Sequence, residues 1–389
     1  MKHKYSVVLF CFCIFIILCS CSLLHKKPIL LGAIYNLHGS QASLDIASAH
    51  GLELAVEELN KTGGIHDRQI KLMLLDGYSN PDSIKKAATM LIKHKVSAVI
   101  GFSDTDMVLA AGQIISNAGI PFITSGATAP ILVESIPRVL FLSCFGDNVQ
   151  AAAGAEFAKT KLEKNNVFII YNKSMDYAKF LAAYFKKSWL EMRGGIADEL
   201  FYDHDATDST RIVNSLIRNT SEYDFIYLAA GPDEIGYWIR LIRKAGIKQT
   251  IIGGDGYDTP LLTAVAGQYA NNVYFTTHAW MSSKGNTDKM KEFYKSYHSK
   301  YGVDPENSFA ALGYDAAFLF ADAAARAKNL KPANLLESLQ NTSEWNGLTG
   351  KVRYIDGSHI PMKEVTIIGI NDSTPFLDAV IIPDKIPAP

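Results

Sequence analysis

The chain has 389 residues, 48% of them hydrophobic and 11% aromatic, with 38 Lys and Arg against 39 Asp and Glu. That apolar share excludes a disordered chain, and a formal net charge of −1 excludes the basic face with which a nucleic-acid binder meets phosphates. The length predicts two domains, because single cores rarely grow beyond roughly 250–300 residues.

The first 20 residues read as an address rather than as part of the fold. Lys2 and Lys4 precede an unbroken apolar run from Val7 to Leu18, too short for the roughly 20 residues of a bilayer span but suited to a secretory signal. The run ends in Leu18-Cys19-Ser20-Cys21, which resembles a bacterial lipobox with Cys21 as the lipidated residue. Cys19 suits that role less well, because bulky Leu18 would then sit at the cleavage site. Residues 1–20 are thus expected to be a lipoprotein signal peptide and residues 21–27 a tether, with the protein held to a membrane by its lipid. Loss of Lys2 and Lys4 leaves 36 basic against 39 acidic side chains, a net charge of −3. Of the five cysteines, only Cys144 would remain as a free thiol, so no internal disulfide is expected and stability must come from the core.

In the mature chain, apolar strands and amphipathic helices alternate. Strands are expected at Ile29–Tyr35, Ile70–Leu75, Val96–Gly101 and Pro121–Thr124, with helices at Leu44–Asn60, Asp82–His94 and Met107–Asn117 between them. The rhythm restarts with a long helix at Val149–Leu162. It continues through a strand at Asn166–Tyr171, a helix at Tyr177–Met192, a strand ending near Tyr202 and a helix near Arg211–Arg218. A strand at Phe225–Ala229, a helix at Glu234–Ala245 and a strand at Thr250–Gly253 follow. Continuous apolar strands with helices between them predict parallel sheets covered on both faces. No Pro/Ser linker divides the halves, so the expectation is an α/β protein of two Rossmann-like lobes joined by close-packed crossovers around a hinged cleft.

Ligands of open α/β sheets bind beyond the carboxyl ends of the strands. There the chain offers Phe102-Ser103-Asp104-Thr105-Asp106 and Ser125-Gly126-Ala127-Thr128-Ala129-Pro130. Their hydroxyls and backbone N–H groups suit an anion such as a carboxylate, or simply cap the helices that follow. Gly253-Gly254-Asp255-Gly256-Tyr257-Asp258 ends a later strand. On spacing alone this is a surface turn, although its carboxylate could also meet an ammonium group.

Several phrases stand in an order that resembles one family: Gly51–Asn60 (GLELAVEELN), Gly63-Gly64-Ile65, Val99-Ile100-Gly101, Ser125–Pro130, Gly253–Asp258, Phe309–Asp315 and Gly347–Gly350. Together they resemble the leucine/isoleucine/valine-type solute-binding proteins of ABC importers, which have the type I periplasmic binding protein fold. The resemblance implies two lobes joined by three crossovers: residues 28–147 and 279–355 in lobe 1, residues 148–278 and 356–389 in lobe 2. It implies a monomer that carries an amino acid and works with ABC permease and ATPase subunits on separate chains. Carried over by position, Ser103, Thr105 and the Gly126, Ala127 and Thr128 segment would meet the α-carboxylate. Tyr177 would close over the ligand, and Asp255 would take the α-ammonium. Phe102, Tyr35, Phe145 and Tyr257 are candidate walls of the side-chain pocket, with ordinary core packing as the alternative. Leu44 and Pro232 stand where relatives often carry aromatic residues, so side-chain selectivity is not inherited.

Enzyme signatures are missing: the chain has no phosphate-binding Gly-rich loop ending in Lys-Ser/Thr, no His-Glu-x-x-His and no Gly-x-Ser-x-Gly. No cofactor is expected, and the acidic cluster from Asp203 to Asp208 is read as a helix cap rather than a metal site. The alternative to an uptake receptor is a sensory subunit that uses the same clamp.

Overall fold

Strand β1 (Ile29–Tyr35) distributes its side chains as its period of two dictates: Ile29, Leu31, Ala33 and Tyr35 enter one apolar layer and Ile34 the other. The computed structural model describes residues 26–203, 206–283, 287–354 and 357–389. The signal peptide, Cys21, most of the tether, and His204 and Asp205 of the acidic cluster lie outside the described residues.

The first lobe continues through α1 (Ala42–Lys61), β2 (Ile70–Asp76), α2 (Pro81–Lys93), β3 (Val99–Gly101), α3 (Thr105–Ala118), β4 (Phe122–Thr124), α4 (Ile131–Ser135) and β5 (Leu140–Leu142). Asn80 starts α2 by accepting the N–H groups of Asp82 and Ser83 ahead of Pro81, and Asp104 starts α3 by accepting from Met107. The five strands form one parallel sheet in the order β2-β1-β3-β4-β5. Strands β3, β4 and β5 are buried at every residue, as expected for strands covered on both faces.

The chain then enters a second sheet. Its elements are α5 (Asp147–Glu156), β6 (Asn166–Asn172), α6 (Asp176–Glu191), β7 (Gly195–Tyr202), α7 (Ala206–Arg218), β8 (Phe225–Ala229), α8 (Ile235–Lys244), β9 (Thr250–Gly253), α9 (Pro260–Ala266) and β10 (Val273–Thr277). It returns to the first lobe with α10 (Asp288–Tyr301), α11 (Ser308–Arg326), α12 (Pro332–Gln340) and the hairpin β11 (Trp345–Gly347) and β12 (Gly350–Val352). It ends in the second sheet with β13 (Val365–Asn371) and β14 (Thr374–Ile381). The backbone therefore passes between the two bodies three times: from β5 to α5, from β10 to α10 and from β12 to β13.

The second sheet runs β14-β13-β10-β9-β8-β6-β7. From β7 to β10 it is parallel, but β13 and β14 close its edge as an antiparallel pair. The antiparallel pair departs from the expected parallel sheets, because that expectation rested on the strands up to Gly253 and no elements were expected beyond it. Strand β5 also escaped notice, because three residues are too few to show a period. The helix expected over Val149–Leu162 is α5 followed by a π turn, Phe157–Lys161. Among the described residues, no helix is long and apolar enough to cross a membrane.

Candidate functional site

Each sheet reverses its strand order once, between β1 and β3 in the first and between β6 and β8 in the second. At such a point the flanking loops diverge and leave a crevice at the carboxyl edge. The two crevices face each other. From the first lobe, Gln41 and Leu44 after β1, Ser103 and Asp104 after β3, and Phe309 of α11 line a small cavity. From the second, Met175 after β6, Pro232 after β8, and Tyr177, Asp255 and Gly256 complete it. The lobes stand close: the N–H of Asp176 at the start of α6 donates to Asp106 Oδ2 on α3 across 3.1 Å, an acid on a helix N-terminus. The cavity leaves only about 10 Å³ for the centre of a water molecule.

Asp255 is the best-supported side chain in it. Its Oδ1 accepts from the Tyr177 hydroxyl (2.8 Å) and from Gln150 Nε2 (3.0 Å), and His278 Nε2 lies 3.0 Å from its Oδ2. Gln150 also accepts the Asp255 N–H at 3.1 Å and the Thr276 hydroxyl at 2.7 Å, so its amide orientation is fixed by its neighbours. Tyr177 Oη in turn accepts from Gly256 N–H at 3.1 Å. A carboxylate has about four acceptor positions; three are used, and one on Oδ2 remains. His278 stacks on Phe145 with ring centroids 4.1 Å apart, and its buried Nδ1 has no hydrogen-bond partner among the described residues.

The hydroxyl-rich loops are more occupied than their sequence suggests. Ser103 N–H donates to Asp45 Oδ1 (2.8 Å), Gly126 N–H to the Phe102 carbonyl (3.1 Å) and Ala127 N–H to Thr124 Oγ1 (3.1 Å). Thr128 Oγ1 takes a long bond from Gln150, 3.4 Å. The buried Thr105 hydroxyl has no partner among the described residues. Phe102 takes a positive φ of 64°, a backbone cost of order 1–3 kcal/mol for a bulky residue. Its carbonyl is held by Gly126, Thr124 and Ser125.

Of the residues expected at the site, Ser103, Tyr177 and Asp255 line the cavity. Thr105, Gly126, Ala127 and Thr128 are buried beside it in the loops just described. The aromatic candidates are packed into cores: Phe102 against Phe122, Tyr35 with its hydroxyl on Ser125, and Tyr257 with its hydroxyl on the Leu228 carbonyl (2.7 Å). Phe145 acts through His278. Sequence reasoning missed Gln150, buried within an expected helix, and His278. Their partner is Asp255, 105 and 23 residues away, a separation no local motif reveals. Cys144 is buried with its Sγ on the Ala127 carbonyl, and burial pushes its thiol pKa up, away from reactivity.

Carboxylates accumulate beneath the cavity. Burial raises Asp45 to about 6, and burial together with the Asp255 charge raises Asp147 to about 8. Asp147 Oδ1 accepts from Gln150, while Oδ2 has no partner among the described residues. A carboxyl that stays protonated in the folded chain but ionises near pH 4 when unfolded binds more protons in the native state. Its contribution is therefore complete below about pH 4 and lost as pH rises through about 8. The isosteric Asp147→Asn variant is expected to lose less unfolding free energy than the unaltered protein between pH 5 and 8, as read from urea denaturation across that range. Parallel slopes for the two proteins would refute this.

Comparison with known proteins agrees with this architecture. The profile of the family described as periplasmic binding protein matches residues 28–375. The Leu/Ile/Val-binding protein homolog 3 of Brucella melitensis is 27% identical over 250 residues, covering 64% of this chain and 67% of that protein. The branched-chain amino acid transporter substrate-binding protein LivJ of Streptococcus pneumoniae, solved in complex with isoleucine, superposes with a TM-score of 0.82. It is 29% identical, with 91% of this chain and 99% of that one covered. The leucine-binding protein LivK of Thermotoga maritima superposes with a TM-score of 0.83 at 26% identity, covering 92% and 99%.

Proposed function

This chain belongs to the periplasmic binding protein family, and on that premise we propose that it is the extracytoplasmic binding lipoprotein of an ABC importer. It holds a free amino acid, or a related small zwitterion, between its lobes and hands it to a permease driven by an ATPase on another chain. It acts as a monomer anchored through Cys21, with lobe 1 at 28–147 and 279–355 and lobe 2 at 148–278 and 356–389. The observation that carries the reading is Asp255: a buried carboxylate in a cavity shared by both lobes, held by three donors with one acceptor position left for an ammonium group.

The clamp works by differential affinity. A ligand that bridges Asp255 and the loops after β3 and β4 gains contacts to both lobes only when they meet, so it shifts the population towards closure. With so little space in the closed arrangement, entry requires the lobes to part at the three backbone passages. Relatives with branched-chain names and the isoleucine complex of LivJ support an amino acid as the ligand class.

The test is a thermal-shift series on the full chain in detergent with the free L-α-amino acids. At about 100 times its Kd, the cognate one adds roughly 2.7 kcal/mol to the folded state and raises Tm visibly. A flat series across all amino acids would overturn the reading.

A further inference from the structure

Resting on the reading that this cavity is the ligand site, we infer that the ligand carries two positively charged nitrogens, one for each lobe: a dibasic amino acid or an α,ω-diamine. A zwitterion needs an acidic partner at one end of its site and anion-binding donors at the other. This cavity is acidic at both ends. Asp255 stands in the second lobe and Asp104 in the first, and among the described residues no Lys or Arg contributes to the lining.

Asp104 is 3% exposed and, among the described residues, meets N–H groups of its own helix, with Met107 N 3.2 Å from Oδ1. Burial, reinforced by the negative charges of Asp106 and Asp45, pushes its pKa well up. Asp106 in turn faces Asp176, whose cation partner Lys179 lies out at the surface. A buried carboxylate with no cation nearby is costly, and a cationic group brought by a ligand relieves that cost.

Three of the first-lobe N–H groups expected to receive a carboxylate are already engaged, while the buried Thr105 hydroxyl has no partner among the described residues. The Ser103, Gly126 and Ala127 N–H groups donate to Asp45, the Phe102 carbonyl and Thr124. A carboxylate brought by the ligand is left with the Thr105 hydroxyl and stands beside the buried Asp104, whose charge a second cationic nitrogen offsets. Between the two acids the walls are Leu44, Met175, Pro232 and Phe309, apolar surfaces that suit a methylene chain between two charged ends. Fields of one sign are concentrated in a cleft with low-dielectric walls, so both acids draw cations to the same place.

Calorimetric titration of the full chain in detergent with L-lysine, 1,5-diaminopentane, L-leucine and L-isoleucine tests this. At least one of the two-cation probes is expected to bind about tenfold or more tightly than leucine or isoleucine, the scale of one charge-assisted bond. If lysine binds and diaminopentane does not, the ligand is an amino acid; the reverse identifies a diamine. Asp104→Asn keeps a helix-capping oxygen, and its unliganded Tm checks the fold. It is expected to weaken the two-cation probe about tenfold without weakening leucine. Tighter binding of leucine or isoleucine to the unaltered protein overturns the inference and leaves the proposed function standing. Equal losses of lysine and leucine in Asp104→Asn also overturn it, and no binding by any of the four probes overturns both.

Discussion

Asp255→Asn is expected to weaken the cognate amino acid roughly 100-fold or more while costing its des-amino analogue less than about tenfold. Removing one partner of a buried charge pair costs about 3–5 kcal/mol, because the other charge is left uncompensated in a medium that solvates it poorly. Asparagine keeps an oxygen for the Tyr177 hydroxyl and fills the same volume, so the scaffold of Gln150, Tyr177 and His278 has little reason to collapse. The des-amino analogue lacks the ammonium group and never engaged that charge. Titration calorimetry of both compounds against both proteins gives the comparison directly. If the analogue loses as much affinity as the amino acid, Asp255 is a structural support and the ammonium group lies elsewhere.

The second large effect concerns stability. Gly51→Ala is expected to lower the unfolding free energy by about 3 kcal/mol or more, at the upper end of the usual cost of overpacking. Helices α1 and α11 cross at contact distance: a Cβ at Gly51 would collide with the Ala310 carbonyl, and one at Gly313 with that of Ser48. Backbone atoms in two packed helices have no rotamer by which to yield. Gly154→Ala, in the interior of α5, is the internal control. Its nearest neighbour would be Thr276 Cγ2 at 3.7 Å, ordinary contact, so the helix propensity of alanine is expected to stabilise by about 0.5–1 kcal/mol. Urea denaturation of the two variants is expected to give opposite signs. A neutral Gly51→Ala would mean that the helices separate easily and that this crossing does not hold α11 to the first lobe.

These two substitutions fall on different sides of what a sequence discloses. Gly51 stood inside a recognisable phrase, yet nothing local says that its partner is a carbonyl 259 residues further on. Asp255 between glycines is indistinguishable from a surface turn until β9 is placed beside β8 and β10 and its loop is turned into the cleft. Phe102, Tyr257 and Tyr35 show the converse: aromatic residues at strand ends look like pocket walls, but the cores above and below the sheets claimed them. Strands β13 and β14 pair antiparallel at the sheet edge because the chain returns after its third passage. That pairing is set by a crossing rather than by periodicity.

By itself, the sequence determined the alternation of strands and helices, the restart that makes two lobes, and the strand-end loops where a ligand could sit. Those properties repeat every two or 3.6 residues and are written locally. Only the tertiary structure decided that Gln150, Tyr177 and His278 converge on Asp255. It alone decided that the Ser103, Gly126 and Ala127 N–H groups after β3 and β4 are spent within their own lobe, and that Asp104 faces the same cavity with no cation beside it among the described residues. Charge balance in a buried cleft sums over residues distant in the chain, and no periodic pattern in the sequence records that sum.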